Sequence, residues 1–349
     1  EKGAAYESDH DVYFSVPDFP PYGSLSGRNL DDLRAGARVE VGKAKRNPLD
    51  FALWKASKPG EPAWESPWGP GRPGWHIECS VMAAKYLGQP FDIHGGGQDL
   101  IFPHHENEKA QAEALTGRPF VRYWVHNGFV RAGAEKMSKS LGNFLTIQEI
   151  IKRFHPQALR LFLLSAHYRS PLDYTEEAMA EADEGINRLY EAWSSAMMGY
   201  VQHKPSDKGP LKEAAEEARQ AFKAAMDNDF NTAQALGHLF FLARSINRSL
   251  DKEEGLGGLA VASETLEELS NVLGLLTRPY GDFRDERQNL LLDRDDLEAV
   301  SIQSLIDART ESRQSKDFAV ADRIREELAQ MGVELHDGPE GQTTWKLKA

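Results

Sequence analysis

The sequence predicts an α/β domain followed by an α-helical bundle and a small α+β unit. Three features carry that prediction. Between Trp75 and about Phe144, short apolar runs alternate with helical periodicity and break at glycines. From Ile147 to about Leu276, apolar residues recur at i, i+3 and i+4 almost without interruption. The final stretch, from residue 298, reads as two helices and a short strand pair.

Taken in order, residues 1–45 read as a small mixed module. Val12 to Val16 has strand character, and Asn29 stands where it can cap a short helix over Leu30–Ala35. Residues 57–74 are rich in proline and glycine, which excludes a regular helix or a central strand. Trp64 and Trp68 within this stretch favour an ordered loop. Ile77 to Leu87 has helical spacing. Phe91 to His94 reads as a strand running into a turn at Gly95-Gly96-Gly97, and Pro103 stands where it can open a helix at His104. Tyr123 to Val130 reads as a further strand. The helical region begins with Leu159, Phe162 and Leu163 and ends with Leu266, Leu269, Val272 and Leu273. Residues 277–297 are polar and read as a linker. Helices are expected over about Val300–Thr310 and Phe318–Gln330, with the strand pair ending at Trp345.

Composition narrows the function classes. Apolar residues make up 40% of the chain and charged residues 27%, as in an ordinary globular protein. No stretch approaches the roughly 18 apolar residues of a membrane helix. The start, Glu1-Lys2-Gly3-Ala4-Ala5-Tyr6, is neither an initiating Met nor a signal peptide, and is read as a cut beginning. The single cysteine, Cys79, excludes an internal disulfide and suits a reducing cytoplasm. A net charge of −13 points to a metabolic enzyme, although local basic patches still permit RNA binding.

Three constellations carry chemistry. Lys136-Met137-Ser138-Lys139-Ser140 places two lysines among small hydroxyl residues, a basic loop able to clamp a polyphosphate; the plain alternative is a solvated surface loop. His104 and Glu108 are four apart, on one face of a helix, and Cys79 lies upstream beside the glycine turn. Together they offer nitrogen, oxygen and sulfur ligands suited to zinc. The plain alternative there is an exposed polar helix start. His94-Gly95-Gly96-Gly97-Gln98-Asp99 has the form of a nucleotide-approach turn, with Asp99 able to accept ribose hydroxyls or simply to cap a helix.

These residues bring a family into view. Lys136–Ser140 resembles the second signature loop of class I aminoacyl-tRNA synthetases. Gly74–Cys79, Asp92–Asp99 and Phe102–Glu108 resemble the cysteinyl members, as do Ala166–Tyr174, Met226–Thr232 and the terminal stretch Phe318–Trp345. The resemblance covers essentially the whole chain. It implies a partial Rossmann-type nucleotide-binding domain, then the bundle, then an anticodon-binding unit. Residues 1–70 become a connective insertion module and linker. Residues 71–146 become the second half of the catalytic domain, 147–276 a bundle contacting the tRNA stem, 277–297 a linker and 298–349 the anticodon unit.

The resemblance also implies residue roles. Cys79, His104 and Glu108 match zinc ligands, one Zn²⁺ per subunit, and His105 is expected to face away. Trp75 and His94 match residues around the bound amino acid. Gly95, Gly96, Gly97 and Asp99 match the ATP site, with Mg²⁺ accompanying ATP. Lys136 and Lys139 match the catalytic lysines beside pyrophosphate. Arg313, Phe318, Asp322 and Asp337 match anticodon contacts, with Phe318 where some relatives stack a tryptophan. The implied partners are ATP, L-cysteine and tRNA(Cys), with no membrane. The family's His-Ile-Gly-His signature and its fourth zinc ligand are not in this sequence, so a missing N-terminal segment is expected to supply them, and the chain alone is expected to activate cysteine poorly. Two alternatives stay open: a cysteine ligase of the mycothiol pathway, which needs no anticodon unit, and a non-catalytic module derived from a synthetase.

Overall fold

A computed structural model describes residues 1–29, 44–132, 135–136, 145–294, 297–338 and 343–347. The helix expected over Leu30–Ala35 and most of the loop Lys136–Ser140 lie outside the described residues; of Lys136 only the backbone is described. The chain divides into two compact units, Glu1–Phe129 and Val130–Ala349. The expected catalytic segment 71–146 therefore crosses this division.

In the first unit, strands β1 (Ala5–Ser8), β2 (Asp11–Phe14), β3 (Phe51–Ala56) and β4 (Gly71–Pro73) form an antiparallel sheet in that order. The Pro/Gly-rich stretch supplies only the edge strand β4, where missing N–H donors cost least. Gly74 follows; a Cβ there would stand 2.0 Å from the Ala52 carbonyl oxygen, so only glycine lets the chain turn so close to β3. Helix α1 (Trp75–Leu87) starts at once. Strand β5 (Phe91–Gly97), helix α2 (Glu106–Thr116) and strand β6 (Val121–Asn127) form a β-α-β unit whose strands pair in parallel. Phe14, Val16, Phe19, Tyr22 and Phe51 pack with Ala110 of α2, and Phe91, Phe120 and Val121 pack with Ala112.

Two local expectations are corrected here. Gly95, Gly96 and Gly97 are not a turn after the strand but its last residues, in register with Val125, His126 and Asn127. The α2 helix starts at Glu106, two residues later than expected, because Ile101–His105 forms a wider turn with Phe102 in an extended conformation.

The second unit opens with β7 (Val130–Ala132), which pairs antiparallel with β8 (Glu135–Lys136) and parallel with β9 (Leu172–Tyr174). Helices α3 (Ile147–Ile150), α4 (Pro156–Leu164), α5 (Glu176–His203), α6 (Pro210–Asp227), α7 (Thr232–Lys252) and α8 (Leu259–Val272) follow. Their apolar stripes meet in one core around Ile186, Leu189, Tyr190, Leu239, Ile246 and Leu266. Of the expected stripe residues, Leu163 and Val272 face outward.

Residues 277–297 correct another expectation. They form a helix, α9 (Tyr280–Arg294), instead of a linker. Its polar composition hides a sparse apolar face. Phe283 joins the bundle core, Leu291 and Leu292 join the terminal core, and Arg287 pairs with the buried Asp183 at 2.8 Å. The terminal part then comprises α10 (Ala299–Gln314), α11 (Phe318–Gln330) and the antiparallel pair β10 (Val333–Asp337) and β11 (Thr343–Leu347). Among the described residues, no helix is long and apolar enough to cross a membrane.

Candidate active site and metal centre

The α1 helix carries Cys79, the turn into α2 carries His104, and the first turn of α2 carries Glu108. Their ligand atoms all lie within 4.8 Å of one another. His104, His105, Glu106, Asn107 and Glu108 are all buried, so the exposed polar helix start does not describe them. Two contacts hold this buried start in place: the Tyr22 hydroxyl donates to Asn107 at 2.5 Å, and the Ser26 N–H donates to Glu106 at 2.8 Å.

Glu108 is fully buried, and neither of its oxygens has a donor in hydrogen-bonding geometry. Yet His104 Nε2 stands 2.5 Å from one oxygen and His94 Nε2 3.1 Å from the other. An isolated buried carboxylate is costly. Nitrogen, sulfur and oxygen donors converging without hydrogen-bond geometry are the arrangement that a shared cation satisfies, and this donor set fits Zn²⁺. Burial, then Glu108, pushes the Cys79 thiol up, so a metal binding there displaces a proton.

The expectation that His105 faces away is corrected. His105 is buried, and its ligand atom lies within 4.8 Å of those of His94 and Glu108, a second set sharing the same carboxylate. The reason lies in Gly96: a Cβ there would stand 2.8 Å from the His105 ring, so the glycine strand leaves room for the imidazole to turn inward. Burial, then His94 and His126, lowers His105 to about 3. Its Nδ1 lies 2.8 Å from His126 Nε2.

Sequence reading missed His76 and His126. His76 Nδ1 lies 2.8 Å from His104 Nδ1, leaving His104 Nε2 toward Glu108. Partners of this kind fix the tautomer of a metal-ligating histidine. Burial, then His104, lowers His76 to about 4. Both had a signal: His76 is three residues before Cys79 on one helix, and His126 is two beyond Trp124 on one strand face. Trp75 is exposed, with its ring 4.4 Å from that of His104, and the His94 ring lies 4.8 Å from that of Trp124, tilted by 45°. Asp99 sits in a short turn, Gln98–Leu100, exposed, with its carboxylate folded over Gly97.

In the terminal part, Phe318 is 62% exposed, so it is not part of the core. Arg313, Asp322 and Asp337 are exposed as well. Arg313 Nη1 donates to Asp337 at 2.8 Å, and Phe318 and Asp322 are one turn apart on α11. Arg309, which the sequence reading did not single out, donates to both Asp337 oxygens at 2.9 Å. Arg309, then Thr343, holds the Asp337 carboxyl well below the usual carboxylate range.

Comparison with known proteins places this geometry. Residues 1–184 match the model of the class I (C) tRNA synthetase catalytic domain, 221–277 a DALR domain, and 294–345 the cysteinyl-tRNA ligase anticodon binding domain. The cysteine–tRNA ligase of Syntrophobacter fumaroxidans is 50% identical over 99% of the chain and 73% of its own length. The chain belongs to the cysteinyl-tRNA synthetase family. Its relative in Thioalkalivibrio sulfidiphilus is 53% identical over 99% of the chain and 72% of its own length. A solved structure titled as a putative arginyl-tRNA synthetase from Campylobacter jejuni shares the fold at a TM-score of 0.52 and 12% identity, covering 80% of this chain and 59% of that one. Membership in this family carries the Rossmann-like catalytic fold and the anticodon-binding unit expected from sequence.

Proposed function

We propose that the chain acts in cysteine–tRNA ligation: ATP-dependent activation of L-cysteine to cysteinyl-adenylate, then transfer to tRNA(Cys), in the cytoplasm. The observation that carries this reading is the convergence of Cys79, His104 and Glu108 in a chain half identical to cysteine–tRNA ligases along its whole length. The 294–345 match to an anticodon domain favours it over an amino-sugar ligase, which has no anticodon to read.

Cysteine and serine are nearly isosteric, and a shaped apolar pocket separates such pairs only about a hundredfold. Cys79, His104 and Glu108 would hold a zinc ion, whose preference for a soft thiolate over a hydroxyl would supply the missing selectivity. Trp75 and His94 flank the amino acid. Gly95, Gly96, Gly97 and Asp99 face the nucleotide, with the Asp99 carboxylate accepting ribose hydroxyls. The cysteine carboxylate attacks the α-phosphate of ATP, and pyrophosphate leaves. Lys136 and Lys139, with the Mg²⁺ that accompanies ATP, offset the charge that develops on it. Residues 147–276 grip the tRNA stem, and Arg313, Phe318, Asp322 and Asp337 meet the anticodon.

Cysteine-dependent ATP–pyrophosphate exchange tests the reading, with the chain alone and with a His-Ile-Gly-His-bearing segment joined ahead of Glu1. Cysteine but not serine is expected to support exchange in the joined protein, followed by loading of tRNA(Cys). Exchange with cysteine but ligation only to an amino sugar would overturn the tRNA assignment. Absence of exchange in both forms would overturn the catalytic one.

A further inference from the structure

We infer that Arg309 is a positioning residue for anticodon reading, holding Asp337 and, through it, Arg313 in a fixed array. The inference rests on the reading of the terminal part as the anticodon-binding unit.

The contacts around Asp337 are complete. One oxygen accepts from Arg309 Nη1 at 2.9 Å and from the Thr343 hydroxyl at 2.8 Å. The other accepts from Arg309 Nη2 at 2.9 Å and from Arg313 Nη1 at 2.8 Å. An ionised carboxylate has about four acceptor sites, and all are in use. Two parallel bonds from one guanidinium fix the plane as well as the position of the carboxylate.

The two arginines differ in burial. Arg309 is 6% exposed, whereas the Arg313 side chain is 48% exposed. They stand one turn apart on α10, so both reach β10 from one helix face. Arg309 is therefore the permanent partner and Arg313 the exchangeable one. A base edge arriving at this surface meets an Asp337 whose orientation is already set, and an Arg313 that, among the described residues, spends only its Nη1 donor, on Asp337. The pairing also cancels charge. Left alone, the Asp337 carboxylate would repel RNA phosphates; paired with Arg309 it does not, and the charge of Arg313 offsets that of the nearby Asp322, so the array as a whole is neutral. Asp322 lies close enough to act on Arg309 electrostatically, tying α11 to the same array. Lysine at 309 would keep the charge but has no planar fork.

The test compares binding of the 349-residue chain to tRNA(Cys) and to the same RNA with a substituted anticodon, for wild type, Arg309→Lys, Arg309→Gln and, as a control, Asp337→Asn, over a range of salt. Wild type is expected to prefer the cognate anticodon. Arg309→Lys is expected to reduce that preference by at least about fivefold, the lower end of what one bidentate contact discriminates. Its affinity for the substituted RNA and its salt slope should stay at wild-type values, because Arg309 itself touches no phosphate. Asp337→Asn removes a residue that itself meets the anticodon and serves as the control for full loss; Arg309→Gln, which also lacks the charged fork, is expected to show the same loss of preference as Arg309→Lys and keeps the test decisive if the lysine variant misfolds. Retained discrimination in a folded Arg309 variant overturns the inference. A salt slope shallower by about one in Arg309→Gln also overturns it, by making Arg309 a direct phosphate contact. A wild-type chain blind to the anticodon overturns the anticodon reading itself, and this inference with it.

Discussion

Phe318→Ala separates RNA stacking from packing. Phe318 is the first residue of α11 and is 62% exposed, while the buried side of that helix is carried by Ala321 and Leu328. Truncation should therefore cost the fold no more than an ordinary surface change, about 0.5 kcal/mol. Alanine also suits the first turn of a helix. A base stacked on the ring is worth about 1–3 kcal/mol, or roughly 5- to 150-fold in affinity. Filter binding of tRNA(Cys) at one fixed low salt concentration reads this loss, and the melting temperature of the variant reads the fold. Because any base presents a π-face, the loss should be similar for anticodon-substituted RNA, unlike the loss at Arg309. Unchanged affinity would refute the reasoning, as would a melting shift typical of a core truncation.

Two other predictions address the metal and the bundle. Cys79→Ser, His104→Ala and Glu108→Gln should each weaken zinc binding by more than about a hundredfold, beyond the effect of outer partners, while His94→Ala keeps equimolar zinc; metal analysis after dialysis decides, and zinc lost only with His94 or His105 would shift the site to the second set. Arg169, then Tyr168, lowers Asp229 to about 2, so its stabilising contribution is present above about pH 4 and is lost as pH falls through 2. Asp229→Asn should flatten the acid-unfolding curve in that window, and coincident curves for variant and wild type would contradict it.

Much of the architecture was legible because periodicity survives in long helices. Phe318–Gln330 has the bounds its apolar spacing predicts, and Asp317 caps it by accepting from Val320. The polar helix α9 was not legible. Its few apolar residues are divided between two cores, so no single stripe marks it, and its buried Arg287 reads as a surface residue until Asp183 is placed beside it. Strand β3 was missed because its ladder joins it to β2, about forty positions away in the chain. At the site, the i, i+4 spacing of His104 and Glu108 was enough to pair them. His105 was misplaced because its direction is set by the space over Gly96, a tertiary fact that helical spacing cannot supply. Arg309 was overlooked for a similar reason: a buried arginine is recognised by its partner, and Asp337 lies across the strand pair.

The central claim is that Cys79, His104 and Glu108 hold a metal that selects a thiol substrate. Cobalt replaces zinc in such ligand sets and reports sulfur ligation through a near-ultraviolet charge-transfer band. With the cobalt-loaded chain, the account predicts one band from Cys79, which grows when L-cysteine is added and does not respond to L-serine. A band that L-cysteine leaves unchanged, or that L-serine alters equally, would contradict it.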